Sequence, residues 1–133
     1  MIGPAHHVGI AVKSLEQALD GYRGLGLEAE PVEDVPSQGV RVAFLQAGSI
    51  RIELLESLTP DGVIARFIER RGEGLHHLAF ATRDIRAEMA QLRVSGFELV
   101  DSEPRQGAHG RLVAFVHPRS AHGGLLELVQ EPR

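Results

Sequence analysis

Bulky apolar residues alternate with small residues at two places in the chain, and a segment with helical spacing follows each of them. HVGIAV (7–12) and HLAFAT (77–82) have the two-residue period of a strand with one buried face. In the segments that follow, apolar residues recur at intervals of three and four, at Leu15, Ala18, Leu19 and Tyr22 and again at Ile85, Met89 and Leu92. We therefore predict a strand and then a helix at both places.

The residues that flank these segments indicate where each helix begins and ends. Ser14 begins a capping-box pattern, and Gly24 or Gly26 is expected to end the first helix. Asp84 and Gly96 occupy the corresponding places around the second helix. Both helices therefore have start and stop residues of their own.

The two strand–helix segments are copies of one another. Residues 6–28 align without gaps with residues 76–98, at an offset of 70. VAF (42–44) recurs as VAF (113–115), and IELLE (52–56) recurs as LELVQ (126–130). Landmarks in the same order at a nearly constant offset indicate a duplicated module.

Each module is predicted to fold as a strand, a helix and three further strands, which gives an α+β architecture of two tandem βαβββ modules. We predict one domain over residues 1–133, with module 1 at about 5–58, module 2 at about 75–131 and a linker at about 59–74 that contains a short helix. The later strands are expected at 28–33, 40–47 and 50–56 and at 97–101, 111–117 and 125–130.

Composition narrows the class of protein. The chain has no cysteine, which excludes disulfides and thiolate metal sites and favours a reducing, cytoplasmic location. The net charge of −4 gives no basic footprint for nucleic acid, and no apolar run is long enough to cross a membrane. We expect a cytoplasmic protein that binds neither nucleic acid nor membrane.

Side chains alternate across a strand, so their parity sorts the polar residues by face. His7 and His77 share a face with small residues only, because the bulky side chains of each strand lie on the other face. Glu53 and Glu127 likewise oppose the leucines and isoleucines of their own strands. Two imidazoles and two carboxylates at matching module positions predict a site for one divalent first-row metal ion. Cobalt, nickel, manganese and zinc all suit these donors, and we expect cobalt.

The other five histidines are assigned different roles. His6 and His76 are expected to be structural strand-end residues partly covered by a helix, and His117 and His122 are expected to lie in a loop. His109 lies between glycines in GAHG (107–110), where the backbone can approach a ligand closely. His109 is therefore a candidate for contact with a substrate.

These residues resemble the vicinal oxygen chelate superfamily, which includes glyoxalases, bleomycin-resistance proteins and dioxygenases, and within it the methylmalonyl-CoA epimerase family. The resemblance covers nearly the whole chain, from HHVGIAV through QGV (38–40), IELLE, GLHHLAF and GAHG to HPRSAHGGLLEL (117–128). It implies a glyoxalase-like fold, in which eight strands form an open, cup-shaped mixed sheet around one metal site. It also implies a homodimer.

The same resemblance implies an activity and roles for individual residues. The activity is the interconversion of (R)- and (S)-methylmalonyl-CoA by 1,1-proton transfer through an enolate, with metal ligands at His7, His77, Glu127 and, as the fourth ligand, Glu53. Glu127 is expected to be one proton-transferring base, and Glu53 is a candidate for the other. Some epimerases carry a glutamate where this chain has Val42, so the identity of the second base stays open.

The acyl-CoA substrate that the resemblance implies would need contacts outside the metal site. Gln38 of QGV and Gly107 and His109 of GAHG are candidate substrate-binding residues. Arg105, together with Arg111 and Arg119, is a candidate for binding the phosphates of the CoA portion.

Three alternatives would share this fold. A glyoxalase I-like lactoylglutathione lyase would use the same shell of two histidines and two glutamates on a glutathione hemithioacetal. A ring-cleaving dioxygenase fits less well, because it uses two histidines and one carboxylate on iron and typically a longer chain. A metal-free protein that sequesters small molecules would need aromatic walls, whereas this chain has no tryptophan, one tyrosine and five phenylalanines.

Overall fold

Eight strands and three helices follow one another in the order that the duplication predicts. The computed structural model describes all 133 residues. They form two compact units, one of residues 7–76 and the other of residues 1–6 and 77–133. The elements are β1 (Ala5–Ala11), α1 (Leu15–Arg23), β2 (Glu33–Val35), β3 (Val40–Ala47), β4 (Ile50–Ser57), α2 (Val63–Arg71), β5 (Gly74–Ala81), α3 (Ile85–Val94), β6 (Arg105–Gln106), β7 (Leu112–Val116) and β8 (Leu126–Gln130).

The unit of residues 7–76 has its strands in the order β2-β3-β4-β1. Strand β1 is parallel to β4, whereas β3 is antiparallel to both β2 and β4. Helix α1 packs on one face of these strands, where Leu15 and Leu19 are buried in a cluster with Ala43, Leu45 and Leu54. The opposite face of β1 and β4 is thus left for other contacts.

The unit of residues 1–6 and 77–133 repeats this arrangement, with strands in the order β5-β8-β7-β6. Strand β5 is parallel to β8, and β7 is antiparallel to both of its neighbours. Helix α3 buries Ile85 and Met89 in a cluster with Ala114, Val116 and Leu128. The predicted α+β class, with a βαβββ order in each module and mixed strand directions, is confirmed.

Helices α1 and α3 begin at the side-chain caps that the sequence predicts. The hydroxyl of Ser14 accepts the backbone N–H three residues later at 3.2 Å, and the carboxylate of Asp84 does the same at 3.1 Å. Helix α1 ends at Gly24. Gly96 follows the end of α3 with φ of 93°, a left-handed conformation that glycine adopts without strain.

The second strand of the first module lies later in the chain than predicted. Residues 28–33 make one isolated bridge, between Ala29 and Leu45, and the regular strand β2 begins at Glu33. Pro31 has no backbone N–H to donate and interrupts the expected ladder. The predicted strand at 28–33 is therefore wrong, and regular pairing starts beyond the proline.

The predicted strand at 97–101 is wrong for a different reason. Leu99 forms an isolated bridge with Val116, and the regular strand β6 begins only at Arg105. The carboxylate of Asp101 accepts the backbone N–H of Phe115 at 2.8 Å. A side chain therefore takes the place of a main-chain partner at this point of the sheet.

The segment between the two modules contains the helix that the sequence predicts. Helix α2 buries Ile64, and the ring of Phe67 on the same helix meets the ring of His76 edge-on, with centroids 4.9 Å apart. His76 is thus partly covered by a helix, as expected. Each of the three helices is too short or too polar to span a membrane.

Candidate metal centre

In the unit of residues 7–76, His7 and Glu53 lie on the same face of two adjacent parallel strands. The register pairs Gly9 of β1 with Glu53 of β4, and His7 is two residues before Gly9, so the two side chains point to the same side. His7 Nε2 lies 3.1 Å from Glu53 Oε1. Both residues are buried, with 3% and 5% of their surface exposed. Strand parity therefore identifies this pair correctly.

The other unit contains the matching pair. Ala79 of β5 pairs with Glu127 of β8, and His77 is two residues before Ala79. His77 Nε2 lies 3.3 Å from Glu127 Oε1. His77 is 6% exposed and Glu127 is 3% exposed, so this pair is as well buried as the first.

A phenylalanine supports each histidine, and the sequence interpretation missed both. Phe44 pairs directly with Glu53, and its ring meets the ring of His7 edge-on with centroids 5.5 Å apart. Phe115 pairs with Glu127 and meets His77 in the same way at 5.7 Å. Such edge contacts restrict the rotation of the imidazole rings. The repeated VAF triplet could have indicated this role, because a phenylalanine occurs at the same place in both modules.

An arginine lies over the ring of each phenylalanine. The guanidinium of Arg51 is 5.8 Å from the centroid of Phe44, and its Nε is 3.5 Å from the carboxylate of Glu30. The guanidinium of Arg105 is 5.9 Å from the centroid of Phe115. Arg105, a predicted substrate contact, is thus placed against the aromatic residue that touches His77, with a side chain that is 40% exposed.

Both histidine–glutamate pairs have the chemistry of metal ligands. A buried carboxylate needs a compensating positive charge, and a neutral imidazole presents a nitrogen lone pair to a cation. Each pair, His7 with Glu53 in one unit and His77 with Glu127 in the other, is buried and offers an imidazole nitrogen and a carboxylate oxygen to a metal ion. Two imidazole nitrogens and two carboxylates suit a divalent first-row ion, so the residues present fit the predicted cofactor.

Arg111, a predicted phosphate contact, is instead an internal residue. It is 5% exposed, and its Nε donates to both carboxylate oxygens of Glu131, at 3.0 and 2.8 Å. Another of its nitrogens donates to His109 Nδ1 at 3.0 Å, and a guanidinium can only donate, so this histidine nitrogen is the acceptor. Arg111 is therefore a structural residue that links the C-terminal segment to the GAHG turn.

Glu131 also binds His6. His6 Nε2 donates to this carboxylate at 2.7 Å, and the histidine side chain is 11% exposed. Burial raises the pKa of Glu131, but the hydrogen bond from His6 and the charge and hydrogen bond of Arg111 outweigh it, so its pKa lies below the ordinary value. His6 is thus a structural residue as predicted, although its observed partner is a carboxylate rather than a helix.

The remaining candidate substrate contacts lie in turns. Gln38 ends a short 3-10 turn that precedes β3. His109 has a left-handed backbone, with φ of 57° and ψ of 32°. A Cβ atom at Gly107 would lie 2.9 Å from a methyl group of Val113, so packing alone accounts for glycine there. Contact of Gln38, Gly107 and His109 with a substrate stays a prediction.

The loop after β7 contains the last predicted groups. His117 lies at the start of a 3-10 turn, where its Nδ1 accepts the backbone N–H of Arg119 at 3.1 Å, and His122 follows in the same loop. The exposed guanidinium of Arg119 lies 2.7 Å from the carboxylate of Glu98 and, through this hydrogen bond, lowers the pKa of that carboxyl group. Both histidines are loop residues, as expected.

Known proteins match this chain along most of its length. A family profile described as the glyoxalase/bleomycin resistance protein/dioxygenase superfamily matches residues 6–115. A protein of Cereibacter sphaeroides, named ethylmalonyl-CoA/methylmalonyl-CoA epimerase, is 41% identical, with 98% of this chain and 99% of that protein covered. The mitochondrial methylmalonyl-CoA epimerase of Homo sapiens is 35% identical, with 97% of this chain and 74% of that protein covered.

A solved structure has the same fold. It is a variant of Streptomyces coelicolor methylmalonyl-CoA epimerase in complex with 2-nitronate-propionyl-CoA. It is 34% identical in sequence, has a TM-score of 0.95 and covers 100% of both chains. This likeness confirms the glyoxalase-like fold that the family resemblance implies.

Proposed function

We propose that this chain, which belongs to the glyoxalase/bleomycin resistance protein/dioxygenase superfamily and is an isomerase like its epimerase relatives, interconverts the (R)- and (S)-epimers of methylmalonyl-CoA. The observation that carries the proposal is the 41% identity with an ethylmalonyl-CoA/methylmalonyl-CoA epimerase along nearly the full length of both chains. The acyl-CoA analogue bound to the similar Streptomyces structure supports an acyl-CoA substrate.

The proposed cofactor is one divalent metal ion per chain, with cobalt as the proposed metal. A single histidine–glutamate pair supplies two protein ligands, whereas first-row ions in proteins take four to six. We therefore assign both pairs to the same ion, with the ligands His7, Glu53, His77 and Glu127. When bound, the ion would supply a Lewis acid for the negative charge that develops on the thioester oxygen of the substrate.

The residues of the protein move the proton. Epimerisation breaks the α-carbon C–H bond on one face of the substrate, leaves its electron pair in an enolate, and forms a new C–H bond on the other face. Glu127 is the proposed base on one face, where its carboxylate takes or returns this proton. A second acid–base residue must act on the opposite face, because one fixed carboxylate cannot reach both sides of a planar enolate.

Several further features belong to the same proposal. Arg105, Gln38, Gly107 and His109 are the proposed contacts of the acyl-CoA, and the resemblance to the epimerase family supports them. A cytoplasmic location and a homodimer are likewise expected on the basis of the composition and the resemblance, and both stay predictions.

The test follows the α-proton of methylmalonyl-CoA in deuterated water by NMR, using protein loaded with cobalt. The proposal predicts exchange of the α-proton together with conversion between the two epimers, and loss of both in protein treated with a chelator. Ethylmalonyl-CoA is the second substrate, because the Cereibacter relative is named for both acyl-CoAs. Absence of exchange with every divalent ion would refute the epimerase assignment. Turnover of a glutathione hemithioacetal, or tight binding without turnover, would then identify the alternative function.

A further inference from the structure

The second acid–base residue required by this chemistry has a specific candidate on β2. We infer that Glu33 carries the proton on the face of the substrate opposite Glu127, an inference that rests on the proposed epimerase function. It would be a catalytic residue in direct contact with the α-carbon proton.

The strand register places Glu33 on the same sheet face as the first histidine–glutamate pair. Phe44 of β3 pairs with Glu53 of β4, so their side chains share a face. Val42 is two residues before Phe44 and has the same orientation. Glu33 of β2 pairs directly with Val42, which puts the Glu33 side chain on that face too.

The surroundings of β2 support this orientation. Val35, two residues after Glu33 and therefore on the same face, is 4% exposed, and Val42 is 1% exposed. Asp34 lies between Glu33 and Val35 in the chain and points to the other face, where it is exposed and paired with Arg41 at 2.7 Å. The face that carries Glu33 is thus the covered one, and Glu33 itself is only half-buried there.

The spacing between Glu33 and Glu53 leaves room for a small acyl group. Two strand spacings, about 10 Å, separate them across the sheet, and the offset from Phe44 to Val42 adds about 7 Å along the strands. The valine at position 42 has a short side chain, so the longer Glu33 side chain can extend past it toward the Glu53 side.

Two other carboxylates on this side of the unit are less suited to carry a proton. Glu53 lies 3.1 Å from His7 and is proposed to bind the metal ion, so a Glu53 base in addition to Glu127 would require a second ligand to leave the ion during turnover. Glu30 accepts a hydrogen bond from Gln46 at 2.8 Å and lies 3.5 Å from Arg51, and these contacts hold its carboxylate against those two side chains.

The proton balance is complete with Glu33 and Glu127. In one direction the Glu33 carboxylate takes the α-proton, the C–H electron pair passes into the enolate, and protonated Glu127 delivers its proton to the opposite face. In the other direction the two residues exchange roles. No other reactant is needed, and the next turnover begins once the two residues exchange protons with solvent.

The experiment compares Glu33→Gln with wild-type protein in deuterated water, starting separately from each pure epimer. Glu33→Gln is expected to lower the epimerisation rate at least about 100-fold. Its remaining base still removes and returns the proton on one face, so deuterium should enter one epimer without inversion and should not enter the other. Metal content measured by mass spectrometry should equal that of the wild type, because Glu33 is not a proposed ligand.

Two companion variants make the result specific. Asp34→Asn removes the neighbouring carboxylate on the exposed face and should leave both exchange and epimerisation unchanged. Glu33→Gln combined with Val42→Glu places a carboxylate on the directly paired position of the same face, and it should restore part of the lost inversion.

The outcomes separate this inference from the proposed function. Epimerisation by Glu33→Gln within twofold of wild type would overturn the assignment, as would loss of exchange from both epimers in protein that keeps its metal. Wild-type protein that exchanges neither epimer would instead refute the epimerase function itself. Deuterium uptake restricted to one epimer, without inversion, would support Glu33.

Discussion

A single carboxylate in this site can serve as a metal ligand, as a base, or as both, and its position on a strand decides whether it points into the site at all. Glu53 meets His7 because the parallel register of β1 and β4 pairs Gly9 with Glu53. A shift of one residue would turn the carboxylate to the face covered by α1. The same constraint holds for Glu127 and His77 on β8 and β5. The two glutamates are therefore equivalent in position, and only chemistry can distinguish their roles.

Replacement of each glutamate by glutamine separates ligation from proton transfer. Glu127→Gln should reduce epimerisation at least about 100-fold, because an amide cannot accept the α-proton. Glu53→Gln should keep its metal and most of its activity, because the amide oxygen still offers a lone pair to the ion. Steady-state rates and metal content check both variants. A Glu53→Gln protein that holds metal but is inactive would make Glu53 the second base and would contradict the role of Glu33.

The carboxylate of Glu131 is expected to contribute to stability through a buried partner. Glu131→Gln leaves the guanidinium of Arg111, which is 6% exposed, without its negative charge. We expect a loss of about 1–2 kcal/mol in the free energy of unfolding at pH 7, measured by urea denaturation. The control is Glu98→Gln, because the two carboxylates are equally exposed, Glu98 at 50% and Glu131 at 51%. The two differ in their partners, since the Arg119 side chain that pairs with Glu98 is 70% exposed. The control should lower the free energy of unfolding clearly less than Glu131→Gln does, because an exposed ion pair contributes little to stability.

The contribution of Glu131 should also depend on pH. Its pKa in the folded protein lies below the ordinary value of a glutamate, so the stabilisation is fully present above about pH 4.3 and is lost as the pH falls through the folded-state pKa. The difference between wild type and Glu131→Gln should therefore shrink as the pH falls from neutral to below about 4.3. A difference that stays constant over this range would show that the pair does not act through the charge of Glu131.

The local sequence pattern predicts only some of the contacts that individual side chains make. Parity identifies His7 and Glu53 because it depends only on the period of one strand. The contact of Phe44 with His7 depends on which residues of β3 and β4 are paired, and the pair of Arg111 with Glu131 joins positions 20 residues apart. These contacts follow from strand register, which the spacing of apolar residues does not determine.

Among the helices and strands, the sequence predicts those whose bounds are set by residues within the same segment. Helices α1 and α3 have their caps and apolar faces within one segment, and both form where expected. Strands β2 and β6 form elsewhere than predicted, because the position of each short strand depends on where its partner strand has free backbone groups. Pro31 and the side chain of Asp101 change that point, and the regular ladder shifts along the chain.

The two helix caps provide a matched pair of stability predictions. Ser14→Ala and Asp84→Ala should each lower the free energy of unfolding by about 1 kcal/mol, because each removes an acceptor for a backbone N–H of the first turn. Arg86→Ala is the control on α3, since its ion pair with Glu103 is long, at 3.7 Å, and exposed. It should change stability by less than about 0.5 kcal/mol. Equal losses in the cap variants and the control would contradict the role of the caps.

At the scale of the whole molecule, duplication relates the two halves of the chain. Each unit holds one buried histidine, one buried glutamate and one phenylalanine at matching positions. The repeat made the fold class predictable, because a shared order of landmarks indicates the same order of elements in both modules, although the bounds of β2 and β6 differ from the prediction. The roles within the active site were less predictable, since duplication gives two equivalent carboxylates and the reaction requires different roles for the groups on its two faces.

The central claim is that both histidine–glutamate pairs serve one metal ion, and the metal content of histidine variants tests it most directly. Wild-type protein loaded with cobalt should contain one ion per chain by mass spectrometry, and so should His76→Asn, in which the adjacent structural histidine is replaced. His7→Asn and His77→Asn should each lose nearly all of the ion, because each removes one of four shared ligands. Two ions per wild-type chain, or half of the wild-type content in each variant, would show that each unit binds an ion of its own and would contradict the account.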